Sequence, residues 1–118
     1  MNRREVALER TDREIAREKA EALGRAGERL ERLLGALGAL GADLERLARS
    51  GPPEAVAAAE RRYEALRARA LTAQRYLVIQ REAVGVRSHA LVNELFAVPP
   101  PRGRAGANPG SADRARRR

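Results

Sequence analysis

The chain has no cysteine and no tryptophan, one phenylalanine, two tyrosines and one histidine. Without cysteine there can be no disulfide, no thiolate metal site and no thiol nucleophile. Strand-forming aromatic and β-branched residues are scarce, so a core must be built from Leu, Ala and Val, which favours helices. Long apolar runs are missing too. The longest, Leu33 to Ala42, is half a membrane span, and residues 1–13 are charged where a secretory signal needs apolar residues. These absences predict a cytoplasmic chain with no membrane partner. A single lysine beside many arginines, with abundant Ala and Gly, suggests a GC-rich bacterial coding sequence.

At 118 residues the chain is one small domain. Its net charge of +8 is unevenly spread: residues 1–98 hold 18 basic against 15 acidic residues, and residues 99–118 hold 6 against 1. The near-balanced body argues against a wholly basic nucleic-acid coat. The tail alone could meet nucleic acid, an anionic surface or an acidic protein.

One stretch organises the rest. Val56, Tyr63, Ala70, Leu77, Val84, Leu91 and Val98 recur at every seventh residue, a line that stays on one helix face and requires a partner helix to cover it. Upstream, Leu23, Leu30, Leu37 and Leu44 interleave with Ala26, Leu33, Leu40 and Leu47 in the 3,4 alternation of a coiled-coil seam. Asn2 with Glu5 has capping-box spacing, while Ser50, Gly51, Pro52 and Pro53 stop one helix and start the next. So short a connection makes the two helices antiparallel neighbours. The expected fold is all-α, an antiparallel two-helix coiled-coil hairpin in residues 1–98, dimerising into a four-helix bundle. Helix 1 spans about 3–49, the turn 50–53 and helix 2 about 53–97. Residues 99–118 are expected to form a disordered Pro/Gly/Arg-rich tail. Gly24, Gly27, Gly35, Gly38 and Gly41 avoid the helix 1 seam and read either as a tolerated solvent face or as a smooth strip for a second contact.

Helix 2 departs from its pattern in the lower half. Its seam holds Gln80, Arg87 and Glu94, while Tyr76, Ile79, Ala83, Val86 and Ala90 make an extra apolar flank. The facing part of helix 1 is poorly apolar, so another protein or a second copy is expected to cover this flank. The candidate partner-binding residues are Tyr76, Ile79, Ala83, Val86, Arg87, Ala90 and Phe96.

No glycine-rich phosphate loop, nucleophile elbow or catalytic carboxylate pair is present. Glu82, His89 and Asn93 share a helix face in this reading, yet they fall short of a metal site. The chain therefore reads as a non-enzyme without cofactor or small-molecule substrate. In outline the hairpin resembles the helical-hairpin chaperones of flagellar and type III export systems, a likeness of architecture spanning the body. The implied function is a small adaptor, chaperone or assembly factor. The alternative is a nucleic-acid-associated homodimer that contacts phosphates through Arg102, Arg104, Arg114, Arg116, Arg117 and Arg118. Pro101, Arg102, Gly103 and Arg104 resemble the core of an AT-hook, which implies minor-groove contact by the two arginines. Ala105 stands where that motif normally has proline.

Overall fold

The computed structural model describes residues 2–102. The first helix, α1, spans Arg3–Ser50. The capping box expected of Asn2 and Glu5 is formed: Asn2 Oδ1 accepts the Glu5 N–H at 2.8 Å, and the Asn2 N–H donates to Glu5 Oε2 at 3.4 Å. Such reciprocal capping satisfies two amides that have no carbonyl partner in the first turn. At the other end the Gly51 N–H closes the last turn on the Leu47 carbonyl at 2.6 Å. Pro52 and Pro53 then open α2, Pro53–Ala83, where a ring-fixed φ suits the first turn and the missing N–H removes no bond.

The two long helices pack against each other as an antiparallel pair. Ala26 lies beside Ala73 and Tyr76, and Ala20 beside Ala83. The core follows the seam: Leu30 and Leu37 are fully buried on α1, Ala59, Tyr63 and Ala70 on α2, with Ala26, Leu33, Leu44, Ala73 and Leu77 close behind. Large residues dominate on α1 and alanines on α2. That pairing lets the axes approach closely while still filling space. Each fully buried leucine contributes on the order of 1.5–3 kcal/mol.

Helix 2 does not run to residue 97. It ends at Ala83, and the chain reverses through Val84 and Gly85, whose φ of +92° lies in the left-handed region. A side chain there costs about 1–2 kcal/mol, so glycine suits the turn. A six-residue helix, α3 (Ala90–Leu95), follows, and Val92 from it is buried in the core. Phe96 and Val98 also pack on that core. Residues 99–102, expected to be free tail, are instead seated on the helices. The expectation of disorder for residues 103–118 falls outside the described residues. Gly85→Ala should lower stability by about 1–2 kcal/mol, read as a shifted urea midpoint with unchanged slope. An unchanged midpoint would show that the reversal does not depend on the left-handed residue.

The early end of α2 leaves α1 much longer than its partner. At about 1.5 Å per residue, the 48 residues of α1 span about 72 Å and the 31 of α2 about 46 Å. The molecule's long dimension of 74 Å is therefore that of α1 alone. Every residue from Arg3 to Glu21 is exposed; Ala83 and Val84, where α2 stops, border Ile15, Ala16 and Ala20, and the turns of α1 before that point project as a single-helix arm. No described helix is long and apolar enough to cross a membrane, and the described residues contain no strand.

Candidate functional site

The most developed polar arrangement lies on the outer side of the hairpin, where residues 96–102 run back along α2 toward the corner. An extended proline segment has no N–H to offer from its prolines but keeps every carbonyl, so whatever holds it must supply donors. Three α2 side chains do so. Gln74 Nε2 donates to the Phe96 carbonyl at 3.0 Å, Arg67 Nε to that of Pro99 at 2.8 Å, and the Tyr63 hydroxyl to that of Pro100 at 3.1 Å. The spacings match: Phe96 to Pro99 advances about 9 Å at the rise of extended proline chain. Gln74 to Arg67, two helical turns, advances about 10.5 Å.

Arg102 ends this strap and ties it to both helices. Its N–H donates to Glu64 Oε1 at 3.3 Å, and its guanidinium donates to the Gly41 carbonyl at 3.5 Å and pairs with the Glu45 carboxylate. The same group sits over the Tyr63 ring, 5.6 Å from the centroid, a cation–π geometry. Gly41 makes room for it: a Cβ there would lie 3.3 Å from the guanidinium carbon of Arg102 and 3.5 Å from the Tyr63 ring. Hydrogen bonds that the guanidinium donates to the Glu45 carboxylate and the Tyr63 hydroxyl oxygen raise the Arg102 pKa above its ordinary value, so the guanidinium stays charged at every pH at which the protein would be handled. None of this was legible as a site. Gly41 is one of five similar glycines, and only here does another side chain rest against the bare backbone. A Cβ built at Gly24, Gly27, Gly35 or Gly38 meets nothing within 4 Å.

The residues expected to form one partner-binding flank are divided by the turn. Tyr76, Ile79 and Ala83 remain on α2 and are exposed, Tyr76 to 50% and Ile79 to 58%. Val86 and Arg87 lie in the connection, Ala90 opens α3, and Phe96 is half-buried against the core. These positions do not share a helix face, because the helix assumed to carry them ends at Ala83. Beside Tyr76 is a shallow hollow of about 440 Å³ flanked by Arg25, Arg29 and Arg32, with Glu28 the lone carboxylate. Of the tail arginines, Arg102 is tied to α1 and α2 as described while remaining exposed to solvent. Arg104, Arg114, Arg116, Arg117 and Arg118 lie outside the described residues.

His89 is brought to Glu82, with Nε2 3.2 Å from Oε1, while its buried Nδ1 has no hydrogen-bond partner. Among the described residues no three His, Cys, Asp or Glu side chains converge to hold a metal ion. The polar side chains described above hold residues 96–102 of the same chain against α1 and α2. Compared with known proteins, the chain matches no family model, no curated protein and no solved structure.

Proposed function

We propose that this chain is a non-catalytic protein–protein interaction module of the adaptor or assembly-factor kind, with Tyr76 and Ile79 as its contact for another protein. The supporting observation is their exposure. Two large apolar side chains nearly one helical turn apart stand in solvent on a helix whose other face is packed, and Tyr76 borders the arginine-flanked hollow. Such a surface suits a partner segment with an apolar anchor and acidic neighbours. Surface position 79 should tolerate Ile79→Asp within about 0.5 kcal/mol of stability, yet that change places a carboxylate where the partner's apolar anchor would dock.

The test uses the absence of cysteine. Ile79→Cys gives a single thiol that can carry a photo-crosslinker, and in extract of the source cells it should yield an adduct of one defined mass. Gly35→Cys, at an open position on α1, is the control. Equal labelling from both positions, or none from position 79, removes this reading. The alternative, a nucleic-acid-associated dimer, draws its support from the charge of residues 99–118. Retention on DNA that disappears when residues 103–118 are deleted would favour it.

A further inference from the structure

The hairpin has two broad sides, and only one of them is covered. Along α2, residues 60, 64, 67, 71, 74 and 78 are all half-buried, on the side where residues 96–102 return. Residues 62, 65, 69, 72, 76 and 79 keep the same alternation of three and four on the opposite side of the buried seam, and all are exposed. The matching row on α1 runs through residues 22, 25, 29, 32, 36 and 39, of which Ala22 alone is half-buried. The two rows flank one groove. Arg25 and Arg29 border Tyr76 across it, and Arg29 borders Thr72 as well.

Charge and size set this bare side apart. Five of the twelve positions in its two rows are arginines, Arg25, Arg29 and Arg32 on α1 with Arg62 and Arg69 on α2, and none is acidic. Among the described residues no ion pair engages any of the five. The other positions are Ala22, Ala36, Ala39, Ala65 and Thr72, small residues that keep the groove shallow, with Tyr76 and Ile79 toward one end. The arginines are regularly placed: Arg25 to Arg32 and Arg62 to Arg69 are each one seven-residue step, about 10.5 Å along the helix axis.

We propose that this groove takes one amphipathic α-helix of another protein, apolar along one stripe and acidic on both flanks, as the third strand of a coiled coil. The inference rests on the reading of Tyr76 and Ile79 as a protein contact and names the class of partner. A helix repeats its side chains at the rise of α1 and α2 themselves. Carboxylates seven residues apart on its flanks therefore meet Arg25 and Arg32 on one rim and Arg62 and Arg69 on the other. The alanines let its axis lie close, and its apolar stripe covers Tyr76 and Ile79. A nucleic-acid strand answers the charge alone: its phosphates would meet the arginines but leave Ile79 and the alanines in water, and Tyr76 is the one ring in the two rows on which a base could stack. The covered side does not suit the same helix, because residues 96–102 fill it and Glu45, Glu60 and Glu64 stand there.

Fluorescence anisotropy with the full chain tests it. The probe is a labelled synthetic peptide of three heptads, with leucine and alanine along one stripe and glutamate on both flanks. The chain should bind it, bind it less as salt rises, and not bind a counterpart with lysine in place of glutamate. Arg29→Glu combined with Arg69→Glu should weaken binding by about tenfold or more. Both positions are exposed, and a glutamate at position 29 lies within reach of Arg25 and Arg32, so circular dichroism should be unchanged. Arg10→Glu combined with Arg17→Glu makes the same change of net charge on exposed positions away from the groove and should leave the affinity as it was. A single-stranded oligonucleotide of equal charge should not distinguish the two double variants. A peptide that does not bind overturns the proposal, as do equal losses from the two double variants or an oligonucleotide whose binding falls only with the groove variant. The Ile79→Cys adduct separates the two readings: one that survives the groove variant leaves the protein contact standing and removes the acidic helix. Peptide binding retained with no adduct from position 79 counts against the contact reading and supports the chemistry of the groove.

Discussion

Leu37→Asp should unfold the hairpin. Leu37 is completely buried at the middle of the packed part of α1, and truncation of such a residue to alanine alone costs about 2–5 kcal/mol. An aspartate adds the cost of a carboxylate enclosed by aliphatic side chains, and no polar or charged residue is buried in this core to receive it. A domain of this size has about 5–15 kcal/mol in total, and a two-helix core belongs at the lower end. The expected result is loss of most of the helical circular dichroism at neutral pH. Burial raises the pKa of the introduced carboxyl, so its neutral form is the one the fold tolerates. The sign follows: destabilisation should ease as pH falls below the ordinary carboxylate range and grow as pH rises through it. Native-like helicity at neutral pH would mean that Leu37 is not a core position.

Tyr63 carries the second large effect, because one side chain serves both the core and the strap. Its ring is 1% exposed between α1 and α2, its hydroxyl donates to the Pro100 carbonyl, and its face receives Arg102. Tyr63→Ala removes all three and should cost about 3–5 kcal/mol. Tyr63→Phe keeps the ring and the stacking and should cost about 1 kcal/mol for the lost hydrogen bond. Urea unfolding measures the difference. Hydrogen exchange at Arg102, whose amide donates to Glu64 Oε1, shows whether the strap is released, which is expected for the alanine variant and not for phenylalanine. Equal costs for the two variants would place the effect on the hydroxyl and contradict the account of the ring as shared core.

The parts of this fold that local rules govern were legible in the residues. The Asn2–Glu5 box, the Ser50–Pro53 corner and the seam that buries Leu30, Leu37, Tyr63 and Ala70 all follow from spacing. The end of α2 did not, and the cause is specific. Val84, Leu91 and Val98 keep the seven-residue spacing after the helix has stopped, so periodicity alone carries the helix past its true end. The contrary signals were Gln80, Arg87 and Glu94, polar where a continuing seam needed apolar residues, and Gly85 between two valines. The strap was illegible for another reason. Its anchors join residues 22 to 61 positions apart, and ordinary helix-surface residues such as Arg67 and Gln74 become donors only once the chain has turned back at Gly85.

The unequal length of α1 and α2 also governs how the arm gains and loses order. An isolated helix of under twenty residues is marginal because its first turn must be fixed before any bond repays it. Here the packed half of α1 supplies that turn in advance, so the arm only propagates an existing helix toward Asn2, where the capping box closes it. Heating should consequently fray the arm progressively from its amino-terminal end while the hairpin still holds. The thermal curve would then show a sloping pre-transition baseline followed by one cooperative step, with a single chain behaving as a helix–coil peptide at one end and a folded protein at the other.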